Sequence, residues 1–212
     1  MIATSLRQDW LDIAEIAEEE ERLREATKDI HTAFTSAEIR ALFRLAVWGP
    51  GTGCIVEIGS FLGYSTIWLA HGGQARGTRV YAVDHHKGDK FTGHTNTYEA
   101  FMANVDKYVS SNLLKPLVMT SIDAAAWWEK SLRQPIRLLL IDAYHEYEAL
   151  KSDWNAWKVN LERNNHVVCF HDYAPTATRS AFPDVQRFVD QCPGLLCLAV
   201  VEGLWIGKRR LG

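Results

Sequence analysis

From residue 54 onward, short apolar runs alternate with helix-like segments, and most of the runs stop at a polar or charged residue. No other feature restricts the fold as much. Runs 54–58, 79–84, 117–120, 136–142 and 166–170 read as strands, while 65–71, 95–111, 124–131, 146–161 and 183–191 read as helices. Strands separated by helices pair in parallel through right-handed crossovers. Two last apolar stretches, 195–201 and 204–206, are expected as an antiparallel pair at the sheet edge. The expectation is a doubly wound α/β fold, with a mostly parallel seven-stranded sheet and an antiparallel edge strand. Ligands of such sheets bind beyond the carboxyl ends of the strands, near the point where strand order reverses. Polar residues at strand ends are therefore the candidates for function.

The first fifty residues read as helix. Residues 12–28 are rich in Glu, Ala, Leu and Arg, which favour helices. The run Glu18 to Glu21 is expected to form a solvated face, with a lid as the alternative. Thr35 and Glu38 fit a capping box opening a second helix through Ala46, which Gly-Pro-Gly-Thr-Gly at 49–53 ends. This divides the chain into a helical extension, 1–34, and a main domain, 35–212.

A length of 212 residues with 47% hydrophobic and 23% charged residues suits one substantial core. A net charge of −3 with no basic block argues against nucleic acid as a partner. No apolar run approaches the roughly 20 residues of a membrane span, and the first residues lack the layout of a secretory signal. None of the 4 cysteines forms a CxxC pair, so a reduced, cytoplasmic protein is expected. Of the 8 tryptophans, Trp68, Trp127, Trp128, Trp154 and Trp157 occupy helix-like positions. They are expected in the core, although some could line a pocket for a flat substrate.

The segment Val56-Glu-Ile-Gly-Ser-Phe-Leu-Gly-Tyr-Ser-Thr66 follows a strand and opens a helix. Glycines at 59 and 63 permit a tight turn and close approach of a ligand. Their spacing is not the Gly-x-Gly-x-x-Gly of a dinucleotide fingerprint. Glu57 stands just before the turn, where a carboxylate could hold a cationic amino group. Asp84 ends the second strand, where an acid can accept from both hydroxyls of a ribose. The third strand ends in Ser121-Ile-Asp123, where an adenine would be clasped by polar and apolar contacts.

With these motifs in this order, the chain resembles class I S-adenosylmethionine-dependent methyltransferases, which are Rossmann-like. Within them it is similar to catechol-type and macrolide-sugar metal-dependent O-methyltransferases. Carrying the likeness are Val-Glu-Ile-Gly-Ser-Phe-Leu-Gly-Tyr-Ser, Val-Tyr-Ala-Val-Asp, Leu-Leu-Ile-Asp-Ala-Tyr-His-Glu-Tyr and Phe-His-Asp-Tyr, over about residues 35 to 206. The resemblance implies that Glu57 and Gly59 line the methionine part of S-adenosyl-L-methionine, with Tyr64 and Ser65 nearby. It implies Asp84 at the ribose, Ser121 and Ile122 at the adenine, and Asp142 in the same site. For Tyr64 and Ser65, packing and capping at the helix start is the plain alternative.

Asp142 ends the fourth strand, His145 follows it, and His171-Asp172 ends the fifth. Adjacent parallel strands would bring the two aspartates together, where they repel unless protonated or bridged by a cation. A hard divalent ion such as Mg²⁺ would suit oxygen ligands and lower the pKa of a substrate hydroxyl. His171 is the candidate third ligand, though imidazole suits Zn²⁺ or Mn²⁺ better. Its alternative, shared with Asp172, is hydrogen bonding to loop backbone. His145 is the candidate general base, since imidazole titrates near neutrality; the resemblance implies the same, and supporting the next helix is its alternative. The cluster Asp84-His-His-Lys-Gly-Asp89, with His94, matches no zinc spacing. Residues 87–97 read as a surface loop or a cover for the substrate.

These readings point to O-methylation of a small hydroxylated metabolite. Two others stay open: an S-adenosylmethionine-binding sensor, and a non-methylating small-molecule enzyme. A nucleotide-dependent oxidoreductase is disfavoured by the missing fingerprint. The first helix is free to pack on a second subunit or to act as a lid.

Overall fold

The computed structural model describes residues 13–88 and 95–210. The elements are α1 (Ile13–Thr27), α2 (Ser36–Trp48), β1 (Cys54–Ile58), α3 (Tyr64–Gln74), β2 (Val80–Val83), α4 (Tyr98–Tyr108), β3 (Leu114–Leu117), α5 (Ser121–Ser131), β4 (Ile136–Ile141), α6 (Tyr147–Trp157), β5 (Val167–Phe170), α7 (Pro183–Gln191), β6 (Leu195–Val201) and β7 (Leu204–Arg209). They build a seven-stranded sheet of order β3-β2-β1-β4-β5-β7-β6. Strands β1 to β5 are parallel, and β7 runs antiparallel to both β5 and β6. Strand order reverses between β1 and β4, so a crevice opens above their carboxyl ends.

Each face of the sheet carries its own core. Ile55, Ala82, Leu138 and Cys169 pack with α1 to α4, while Val56, Ile58, Leu139 and Phe170 pack with α5, α6 and α7. Both faces are covered, which is why β1, β2, β4 and β5 are apolar almost throughout and buried along their whole length. The tryptophans at helix positions serve this packing. Trp68, Trp128 and Trp157 are fully buried, and none of the five named above lines the main cavity.

α2 begins as the sequence dictates. Thr35 Oγ1 accepts from the Glu38 N–H at 3.2 Å, and Glu38 Oε2 accepts from the Thr35 N–H at 2.8 Å. The acidic run on α1 is not uniformly solvated, because Glu20 is buried and its carboxylate pairs with Arg44 at 2.6 Å. Ile16 and Leu23 of α1 join the same core as α2 and α3.

The largest departure from expectation is β3, which occupies 114–117 rather than 117–120. Thr120 accepts from the Asp123 N–H and caps α5, so the chain must leave the sheet before it. Pro116 is tolerated because β3 is an edge strand paired only with β2. Among the described residues, no helix is long and apolar enough to cross a membrane.

Candidate active site

The floor of the crevice depends on one glycine. Gly59 leaves β1 with φ 88°, and a Cβ there would lie 1.9 Å from the carbonyl oxygen of Asp142. Its N–H donates to Val83 O at 2.9 Å, and the Asp142 N–H donates to Ile58 O at 2.8 Å. Those bonds lock the ends of β2, β1 and β4 side by side. Above them lies a cavity of about 700 Å³, walled by Gly59, Tyr64, Ser65, Asp84, Ser121, Ile122, Asp142, His145 and Asp172 among others.

Glu57 is absent from that wall, contrary to its expected place beside the methionine moiety. Val56 and Ile58 face the α5–α7 side, so strand alternation turns Glu57 toward α3. There it is fully buried, accepting from Ser65 Oγ at 2.5 Å and from Thr66 Oγ1. Burial pushes its carboxyl up to about 7, against the pull of the Ser65, Thr66 and Ser60 hydroxyls, with the Asp142 charge adding to the rise. Glu57 anchors the first turn of α3 beneath the site.

Asp84 does reach the wall, but its carboxylate has internal work. It accepts from the backbone N–H groups of Ser60 and Phe61 at 3.0 Å each, and of His86 at 2.7 Å. The acid thereby fixes the glycine turn that it faces. Ser121 and Ile122 lie in the first turn of α5 rather than at a strand end. Ser121 Oγ accepts from Trp157 Nε1 at 2.9 Å, and Ile122 is exposed at the cavity. Asp153, which the sequence did not single out, lines the same end. Burial lifts its carboxyl to about 6, with the Ser121 hydroxyl pulling the other way.

At the other end, Asp142, His145 and Asp172 converge, with one ligand atom from each within 4.8 Å of the others. His145 Nε2 lies 2.8 Å from Asp172 Oδ2 and 3.9 Å from Asp142 Oδ1, and the ring stacks on Phe182 at 4.0 Å. Asp172 sits at φ 63°, in the left-handed region that aspartate tolerates better than most side chains. Burial alone would raise its carboxyl, but His145, His171 and Arg179 hold it well below the usual range.

His171 is not the third member of this group, and the expectation that it ligates a metal is corrected. Its ring is fully buried, stacked on Phe34 at 3.9 Å. Nδ1 lies 3.1 Å from Asp142 Oδ1, and Nε2 lies 3.4 Å from Glu38 Oε2. Burial opposes protonation, but Asp142, Asp172 and Glu38 outweigh it and raise the pKa well above the imidazole norm. Both ring nitrogens are thus directed at carboxylates, and His171 is absent from the cavity wall. Glu38 and Arg179 complete the network, and neither was recognisable as a site residue. Glu38 signalled only a helix cap, and Arg179 sits 141 positions further along the chain.

The histidine cluster after β2 divides. His86 is buried against Phe101, while His85 Nε2 lies 3.2 Å from Tyr144 Oη at the cavity rim. Asp89 and His94, with most of the 87–97 loop, lie outside the described residues. Among the described residues, Asp142, His145 and Asp172 form the one group able to hold a metal. Their donor types are ones that divalent cations take, but Asp172 Oδ1 already faces Arg179 Nε at 2.6 Å.

A doubly wound sheet of this strand order, with its cavity at the β1/β4 reversal, defines the class I S-adenosylmethionine-dependent methyltransferase fold. The chain belongs to the methyltransferase domain family, whose model matches residues 56–173, more than half of its length. Solved structures agree on the fold. Cofactor-bound Rv0187 from MTB is 17% identical with a TM-score of 0.62, covering 93% of this chain and 90% of that one. The O-methyltransferase TomG from Streptomyces achromogenes, in complex with SAM, is 15% identical with a TM-score of 0.59, over 92% and 89% of the two chains. CalS11, a TDP-rhamnose 3'-O-methyltransferase of calicheamicin biosynthesis, is 15% identical with a TM-score of 0.56, over 93% and 95%.

Proposed function

We propose that this methyltransferase transfers the methyl group of S-adenosyl-L-methionine to a hydroxyl of a small metabolite, with His145 as general base. The observation that carries the reading is the approach of His145 to Asp172 at 2.8 Å on the wall of the cavity. When bound, the cofactor supplies an electrophilic sulfonium methyl and departs as S-adenosylhomocysteine. The chain has then to hold the acceptor oxygen in line with that methyl and to remove its proton. The Asp172 carboxylate facing Nε2 at 2.8 Å orients the imidazole on the cavity wall. His145 takes the hydroxyl proton as the new O–C bond forms, and Asp172 stabilises the resulting imidazolium. Asp84, Ser121 and Ile122 are assigned to the nucleoside, and Gly59, Tyr64 and Ser65 to the methionine portion, because they wall the same cavity. The complexed state of TomG with SAM and the sugar-acceptor name of CalS11 favour the cofactor and the acceptor class.

Calorimetry with S-adenosyl-L-methionine against NAD tests the cofactor, and transfer of labelled methyl to a panel of phenols and sugars tests the reaction. Binding of NAD alone would reject the proposal. A second reading gives Asp142, His145 and Asp172 a divalent ion such as Mg²⁺, favoured by their convergence within 4.8 Å. A bound ion would polarise the acceptor hydroxyl. Chelation followed by Mg²⁺ add-back tests it, and full activity after chelation would exclude it.

A further inference from the structure

The two readings use His145 differently. A histidine whose lone pair is given to a metal cannot also take up the acceptor's proton through it. Arg179, in the segment between β5 and α7, discriminates between them. Its Nε lies 2.6 Å from Asp172 Oδ1, its Nη2 lies 2.9 Å from Glu38 Oε1, and its Nη1 donates to the carbonyl of Ala33. Only 15% of the side chain is exposed. A guanidinium does not lose its proton near neutral pH, so Asp172 faces a permanent positive charge.

The other oxygen of Asp172 faces His145 Nε2, and Asp142 Oδ1 faces the ring of His171 at 3.1 Å. A divalent ion seated here would compete with His145 for Asp172 Oδ2. It would also lie against a guanidinium bound to the same carboxylate, in a pocket where charges are weakly screened. Two converging acids need a counter-cation, and the chain carries one of its own.

We propose that Arg179 is the resident counter-cation of Asp172, with His171 facing Asp142, and serves as a positioning residue that makes a divalent metal dispensable. The inference rests on the reading of His145 as base. Arg179 sets a positive charge against Asp172 Oδ1 and holds Oδ2 oriented toward His145. By gripping Ala33 it also ties the segment containing His31, Thr32 and Phe34, which walls the cavity, to the β5 end of the sheet. One side chain thus sets both the charge of the reacting end and the position of one wall.

The test is titration of the full chain, stripped with chelator, with Mn²⁺, followed by electron paramagnetic resonance of the free ion. Wild type should take up Mn²⁺ only at millimolar concentration. Arg179→Gln, which removes the charge, should bind it at least about tenfold more tightly, and Asp172→Asn added to that variant should abolish the gain. Arg179→Lys should behave as wild type. Micromolar Mn²⁺ binding by wild type overturns the proposal, as does a folded Arg179→Gln that binds no more tightly than wild type. If Arg179→Gln does not fold, wild type and Arg179→Lys still decide, because micromolar binding by either overturns it and millimolar binding by both supports it. Calorimetry with S-adenosylhomocysteine runs alongside. Its failure would count against the proposed function and leave the Mn²⁺ result readable.

Discussion

Replacing Glu38 with glutamine should cost this protein about 3 kcal/mol at neutral pH, and the loss should fade in acid. Glu38 is fully buried. Its Oε1 accepts from the Gly203 N–H at 2.8 Å and pairs with Arg179 at 2.9 Å, and its Oε2 accepts from the Thr35 N–H and faces His171 Nε2. Burial would raise the carboxyl, but the His171 contact, the Thr35 N–H and the charges of His171 and Arg179 lower it from 4.5 to about 2. That difference corresponds to about 3 kcal/mol of stabilisation by the ionised form. The sign follows from the depressed value. The stabilisation is fully present above the unfolded carboxyl's pKa and disappears as pH falls from 4.5 through about 2. His171, whose pKa is raised, works in the opposite direction: its contribution is complete below 6.5 and declines as pH rises beyond that toward its folded value. Urea unfolding at pH 7, 5 and 3, followed by tryptophan fluorescence, measures the gap between wild type and Glu38→Gln directly. A variant within about 0.5 kcal/mol of wild type at pH 7, or a gap that does not narrow between pH 5 and 3, would refute the reasoning.

Other substitutions probe separate parts of the site. Asp84→Ala should abolish binding of S-adenosyl-L-methionine in calorimetry, since it removes the acceptor of three backbone N–H groups that shape the glycine turn as well as an acid on the cavity wall; an unchanged Kd would reject the assignment. His145→Ala should leave cofactor affinity intact and lower turnover by on the order of 10²–10⁴, the usual range for losing a general base, and unaltered kcat would remove it from the mechanism. Gly59→Ala combines a positive φ with a Cβ 1.9 Å from Asp142 O, so urea unfolding should show a loss of roughly 3 kcal/mol with an unchanged m value.

Much of the site was legible because it hangs on strand ends. Asp84, Asp142 and Asp172 each follow a recognisable apolar run, and parallel alternation alone sends such residues to one rim of the sheet. Ser121 lines the same cavity as Asp84 and Asp142 although its element was misjudged, since the turn into α5 stays above the sheet whether or not the strand reaches 120. Glu57 was misread for a reason of register. The pattern shows an acid in a buried strand, but which face it takes depends on which helices cover that face.

Alternation of strand and helix, the glycine turn and the Thr35–Glu38 cap are properties of neighbouring residues, so the sequence by itself determined the sheet, the cavity's location and most of its wall. Partners far apart in the chain were settled only by the tertiary structure. Glu38, His171 and Arg179 come from three distant segments, and a buried carboxylate, imidazole and guanidinium announce their pairing only when folding removes the water around them. Whether the converging aspartates meet a foreign cation or one from the chain itself is decided by that long-range packing, because electrostatic need depends on distance in space and not on separation in sequence.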